Sequence, residues 1–232
     1  MRVLLTATAD TTRHYMQKAL TESLNSVEAT DDLFYASHLA RIEEFDAIVI
    51  CRQSEEDLDT LFEVLTDLRH IDNAPAIVIA LGRATPVECA RLLRAGADAC
   101  YVQPYSVLEI HERIQALRRN VAYAAGQNQA DMHTLRLDPM TREAVDGELR
   151  IPLTTREFLL IECLLRRPNA PVAREQLTRY AWPEREDVEP SSVNLVVSRL
   201  RRKLKASGAH FRLDTVNRYG YQLTTVPDLS SA

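Results

Sequence analysis

Short apolar, β-branched runs alternate with helical periodicity through the first half of the chain. RVLLTA (2–7), VEAT (27–30), AIVI (47–50), AIVIAL (76–81) and ACYV (99–102) read as strands. Helical spacing follows each: TRHYMQKALTESL (12–24), a segment at 33–42, EDLDTLFEVLTDLRH (56–70), PVECARLLRAG closing on Gly96, and SVLEIHERIQALRRNVAYAA (106–125). Strands that are apolar at consecutive positions are covered on both faces. Five strand–helix repeats therefore predict a doubly wound α/β domain with a parallel sheet. Ligand sites in such sheets lie at the carboxyl ends of the strands, here Ala7–Thr8, Cys51, Ala80–Gly82 and Gln103–Pro104.

The periodicity lapses in AYAAGQNQADM (122–132), which reads as a linker, and a different pattern follows. HTLRLDP, TREAV and DGELRIPL are short strands punctuated by Pro and Asp-Gly turn signals. TTREFLLIECLLRR is a helix with Thr154 or Thr155 as cap, Glu157 completing a capping box for Thr154. VAREQLTRYAW and SSVNLVVSRLRRKLKASG are two more helices, and FRLDTVNRYGYQLTTV reads as two strands around a turn at Gly220. The boundaries are a domain at 1–120, a linker at 121–132, a second domain at 133–226 and a tail at 227–232.

Charge separates the same two halves. Residues 1–130 hold 12 Lys and Arg against 19 Asp and Glu, net −7, whereas residues 131–232 hold 16 against 14, net +2. Within the second half, RLRRKLK (199–205) places five positive charges in seven residues, which suits a polyanionic partner. No apolar stretch is long enough to span a bilayer, so no membrane partner and a cytoplasmic location are expected. Four scattered cysteines without a CxxC pair argue against a zinc site or a disulfide framework, and they read as isolated small hydrophobes. No cofactor, metal site or enzymatic activity is expected, since neither a Gly-rich phosphate loop nor a nucleophile–base constellation occurs.

The basic helix carries the functional signal. At 100° per residue Val193, Val197, Leu200 and Leu204 form one narrow stripe for the core, leaving Ser191, Leu195, Ser198, Arg199 and Arg202 opposite. Small polar residues allow close approach to a major groove, and arginines pair with guanine edges or phosphates. Two preceding helices and a following hairpin with Thr215, Asn217, Arg218 and Tyr221 complete a winged helix-turn-helix pattern. The segments LTTREFLLIECLL, VAREQLTRYAW, VNLVVSRLRRKL and DTVNRYGY resemble the effector domain of OmpR/PhoB-type response regulators across 133–225. The resemblance implies double-stranded promoter DNA as partner. It places Ser191, Ser192, Val196, Ser198, Arg199 and Arg201 at the DNA, with Thr215 and Tyr221 at backbone-contacting wing positions. Where the family usually has Arg after "TV", this chain has Asn217 followed by Arg218. Val196 is apolar where many members carry a polar reader, which suits a thymine methyl.

Residues 2–120 resemble the receiver domain of the same family, through MRVLL, FDAIVI, PAIVIAL, GADACYVQPY and ERIQALRR. The positions that carry phosphotransfer in the family are altered. The acidic pair that holds Mg²⁺ falls at Ala7 and Thr8, the phosphoacceptor aspartate at Cys51, the hydroxyl residue at Ala80 and the lysine at Gln103. Phosphoryl transfer needs metal and cationic clamps on developing charge, so this pocket is expected not to be phosphorylated. Asp10 is too far along the chain to replace the pair. Asp98 and Arg113 match residues that pair across the family's homodimer face, formed by the fourth helix, fifth strand and fifth helix, while Arg94 departs from its charge pattern. The expectation is a DNA-binding regulator that dimerises on that face without phosphorylation, with RNA polymerase as a further partner. A second reading makes the first half a sensor of a small ligand, or of redox state through Cys51.

Overall fold

The structure, a computed structural model, describes residues 1–8, 11–53, 58–71, 75–124, 135–184 and 188–225. The chain divides into two compact units, Met1–Asn128 and Gln129–Ala232. Asp10 lies outside the described residues, as does most of the expected linker.

The first unit follows the alternation: β1 (Arg2–Ala7), α1 (Thr11–Glu22), β2 (Ser26–Thr30), α2 (Leu33–Ile42), β3 (Ala47–Arg52), α3 (Leu58–Leu68), β4 (Ala76–Leu81), α4 (Pro86–Ala95), β5 (Ala99–Val102) and α5 (Val107–Ala124). The strands are parallel in the order β2-β1-β3-β4-β5. Because side chains alternate along a strand, the apolar runs supply two cores. Val3, Leu5, Val49 and Val78 pack against Met16 and Leu20 of α1 and Ile110 and Ile114 of α5. Leu4, Ile48, Ile50 and Ile79 face Leu39, Leu65 and Leu92 of α2, α3 and α4. Each such side chain contributes about 1.5–3 kcal/mol by leaving water. Local signals agree with this packing. Asp32 caps α2 by accepting from Phe34 and Tyr35, and Thr85 with Glu88 closes a capping box on α4. The helix read at 106–125 is α5, which reaches Ala124 and so includes the first four residues of the expected linker at 121–132.

The second unit comprises β6 (Arg136–Asp138), β7 (Glu143–Asp146), β8 (Leu149–Pro152), α6 (Thr155–Leu165), β9 (Val172–Ala173), α7 (Arg174–Ala181), α8 (Pro190–Ser207), β10 (Phe211–Val216) and β11 (Gly220–Thr225). An antiparallel sheet β6-β7-β8 precedes the helices, and a second sheet β10-β11-β9 completes the unit. Thr154, not Thr155, caps α6 in a full capping box with Glu157. The stripe predicted for the third helix is buried as expected, with Val193, Val197, Leu200 and Leu204 at 0–2% exposure. The expected helix at 172 begins two residues late, because Val172 and Ala173 pair with Tyr221 and Gly220. That pairing requires glycine at 220, where a Cβ would collide with the Val172 carbonyl. A half-buried ion pair ties α8 to α6: Lys203 Nζ lies 2.6 Å from the buried Glu157 Oε2 and donates to Pro152 O at 2.9 Å.

Candidate functional site

The apolar stripe of α8 fixes which of its residues remain available. With Leu200 and Leu204 in the core, the opposite side presents Ser191, Leu195, Ser198, Arg199 and Arg202 to solvent, while Ser192 and Val196 are half-buried at its edge. Ser191 Oγ donates to Glu189 Oε2 at 3.0 Å, just ahead of the helix. Gly208, in the left-handed region with φ 70°, ends α8 and turns the chain into β10. Arg199 and Arg202 make no hydrogen bond or ion pair among the described residues, so their guanidinium groups are open to an anionic partner.

The wing is the β10–β11 hairpin, in register from Phe211↔Thr225 to Val216↔Gly220. Its turn places Asn217, Arg218 and Tyr219 in solvent, with Arg218 at φ 58° and the Tyr219 N–H donating to Val216 O at 3.1 Å. Tyr219, half exposed at the tip, was not singled out from sequence, although its place inside the NRYGY turn was a usable signal.

Three residues expected at the DNA, Arg201, Thr215 and Tyr221, are bonded to one another or to neighbours. Tyr221 is 4% exposed and its hydroxyl donates to Asn194 Oδ1 of α8 at 2.7 Å. The alternation along β11 turns Tyr221 inward, with Gln222 on the other side, and the bond to Asn194 ties the wing to α8. Arg201 bends back along α8. Its Nε donates to Leu213 O and its Nη2 to Thr215 Oγ1, both at 2.7 Å, and its guanidinium stacks 5.9 Å from the Tyr221 ring. Thr215 is thus exposed but already engaged. Asp214, beside it, has its carboxyl held below the usual range, first by the Thr224 hydroxyl and then by Arg212.

The first unit brings together the altered pocket positions. Ala7, Cys51 and Ala80 are direct neighbours across β1, β3 and β4, forming a buried row of small side chains under α1 and α5. Thr8 and Gln103 lie exposed beyond the strand ends. The row contains no carboxylate, and the oxygen-rich shell that Mg²⁺ requires is not offered by Ala7, Cys51 and Ala80, so the residues do not fit that ion. Above them Gln53 Nε2 donates to Thr12 Oγ1 at 2.9 Å, linking the end of β3 to the start of α1. Arg52 points to the other face. It is buried, and it donates to Thr6 O at 3.3 Å, Cys51 O at 2.8 Å and Thr6 Oγ1 at 3.3 Å. Strand alternation puts Arg52 on the face opposite Cys51, and its burial there is set by the Thr6 and Cys51 oxygens that accept from it.

At the expected dimer face, Arg113 is exposed, while Asp98 Oδ2 accepts the Ile77 N–H at 2.8 Å and so braces the turn into β5. Arg94 is exposed.

A parallel 2-1-3-4-5 sheet followed by a winged helix-turn-helix defines a receiver-like regulator with a DNA-binding effector domain. The family model "Transcriptional regulatory protein, C terminal" matches residues 147–223. The response regulator MprA of Mycobacterium leprae (strain TN) is 31% identical over 98% of this chain and 100% of that protein. The transcriptional regulatory protein CusR of Escherichia coli (strain K12) is 27% identical over 98% of this chain and 99% of that protein. A solved structure described as a redox sensor of the streptococci, evolved from two-component response regulators, is 22% identical with a TM-score of 0.44, covering 96% of this chain and 98% of that one. The chain belongs to the OmpR/PhoB-type response regulators, DNA-binding regulators of transcription. Among the described residues no helix is long and apolar enough to cross a membrane.

Proposed function

We propose that this regulator binds promoter DNA as a homodimer and does so without aspartyl phosphorylation. The observation that carries the reading is the row Ala7–Cys51–Ala80. At the carboxyl end of the sheet, where phosphotransfer chemistry would be built, methyl groups and a buried thiol stand side by side. An attacking carboxylate and a metal-binding pair are both missing from it, and Gln103 supplies no cation. On the DNA side, α8 lies in the major groove with Ser191, Ser192, Val196, Ser198, Arg199 and Arg202 along the bases and phosphates. Asn217 and Arg218 extend the contact from the wing. Arg201, Thr215 and Tyr221 hold helix and wing in register. The α4–β5–α5 face supports dimerisation with exposed Val87, Leu93 and Leu108 beside Arg113. RNA polymerase is the partner that the family's role in transcription suggests.

The expected result with a small phosphodonor such as acetyl phosphate is an unchanged intact mass, with the same sedimentation profile and the same DNA affinity before and after treatment. A gain of one phosphoryl group within residues 1–120 would overturn the reading. Sensing through Cys51 is the weaker alternative, because that thiol is 2% exposed in an apolar row, whereas reactive thiols need access and a nearby positive charge on their own side.

A further inference from the structure

The cysteines were read from sequence as four isolated thiols, yet two of them meet. Cys89 lies on α4 and Cys100 on β5, elements that pack together, and Cys89 is the neighbour that acts on the Cys100 thiol. The geometry follows from the two periodicities. Cys89 stands one turn before Leu92, which is fully buried against the sheet, so Cys89 shares the inward face of α4. Cys100 pairs with Ile79 and alternates with Tyr101, which puts its side chain on the same side of the sheet as α4, among the residues packed on that core. Both thiols are half-buried, unlike Cys51 and Cys163, which are buried on separate elements. All four are reduced thiols in this structure.

We infer that Cys89 and Cys100 form an oxidisable dithiol, which a hydroperoxide closes into an intramolecular disulfide bridging α4 and β5. The site is independent of the phosphorylation reading. Cys89 is the first to react. Cys100 sits on the strand beneath α4, where burial raises its thiol and makes it the slower of the two to form a thiolate. Its sulfur attacks the peroxide oxygen, the O–O bond breaks, and one molecule of alcohol or water leaves, giving a sulfenic acid on Cys89. Cys100 then attacks that sulfur. The S–O bond breaks, the Cys100 proton accompanies the departing hydroxide as water, and the S–S bond forms. Burial and the adjacent Cys89 push the Cys100 thiol up to about 12, so it is still protonated when the sulfenic acid forms and gives up that proton in the attack. The pair loses two hydrogens and the peroxide is reduced by two electrons.

Trypsin separates the two cysteines, cutting after Arg83, Arg91, Arg94 and Arg113 to leave peptides 84–91 and 95–113. Treatment of the full chain with stoichiometric hydrogen peroxide, followed by alkylation and non-reducing digestion, is expected to give these two peptides linked, at monomer mass on a non-reducing gel. Dithiothreitol is expected to separate them again. In Cys100→Ser, dimedone is expected to label Cys89, which it leaves unlabelled in the parent chain. Cys100→Ala provides the same readout if the serine variant melts early. Full alkylation of both cysteines after peroxide, a linkage between two chains, or labelling of Cys51 in preference to Cys89 would each overturn the proposal.

Discussion

Replacing Arg199 and Arg202 together by Ala is expected to abolish specific DNA binding at moderate salt while leaving the fold intact. Both guanidinium groups are exposed on the outer side of α8, and neither is engaged within the described residues. Removing them therefore unfastens nothing in the unit. An arginine bidentate to guanine is worth about 1–3 kcal/mol of discrimination, so two such losses weaken binding on the order of 100-fold or more. The single variants separate the roles. The one that contacts a base relaxes preference at one position of the site, whereas the one that contacts phosphate lowers the slope of log affinity against log salt by about 1. Titrations at three salt concentrations measure both. Unchanged affinity and slope in the double variant would remove α8 from the interface.

Arg201→Ala tests a different mechanism on the same helix. It breaks the bonds to Leu213 O and Thr215 Oγ1, so the wing loses its attachment to α8. Affinity is expected to fall roughly tenfold, as for loss of one contact, without a change in base preference. Amide exchange in β10 is expected to quicken, a readout that Arg199→Ala leaves unmoved.

The second large effect is on stability. Lys203→Met keeps the aliphatic stem but leaves Glu157, 2% exposed, with its charge uncompensated in the interior. Lys203 is 37% exposed, so solvent screens part of the loss, and removing it costs about 1–2 kcal/mol, which for a unit of about 100 residues lowers Tm on the order of 5–15 °C. Burial alone would push the Glu157 carboxyl up, but Lys203 and the Thr154 bonds outweigh it and hold the group below its ordinary value. Its stabilising contribution is therefore present above the unfolded carboxylate range near pH 4 and is lost as pH falls through the lower folded value. The deficit of Lys203→Met is accordingly largest at neutral pH and shrinks in acid. Trp182, the sole tryptophan, lies in this unit and reports its melting. Adding Glu157→Gln is expected to recover part of the loss, since the amide carries no buried charge. Equal melting of Lys203→Met and the parent chain at pH 7 would exclude the pair as a structural tie.

Patterns that repeat along the chain were legible in the sequence. The sheet, its helices and the buried stripe of α8 each rest on several apolar residues whose spacing admits one arrangement. The pocket positions were legible only through the resemblance to the receiver family, and the register of β1, β3 and β4 then sets Ala7, Cys51 and Ala80 side by side. What sequence left open was the destination of single side chains with several available partners. Tyr221 and Arg201 look alike whether they reach a phosphate or fold back, and the choice is made by Asn194, Leu213 and Thr215, 12 to 27 residues away. Val172 and Ala173 continue a helical pattern in isolation, and only β11 beside them makes a strand. Cys89 and Cys100 are neighbours through tertiary packing between a helix and a strand, which no linear spacing rule for thiols anticipates.

The bonds from Tyr221 to Asn194 and from Arg201 to β10 also bear on the thermodynamics of docking. A hairpin tethered only by its turn would sample many orientations, and DNA would have to select one, at an entropic penalty of about 0.5–1.5 kcal/mol for each side chain immobilised. With helix and wing joined before the encounter, that ordering is already complete. The ordering of this surface therefore resides partly in the contacts of Asn194, Arg201 and Tyr221, and changes at Asn194 or Tyr221 are expected to appear in the entropy of binding before they appear in base preference.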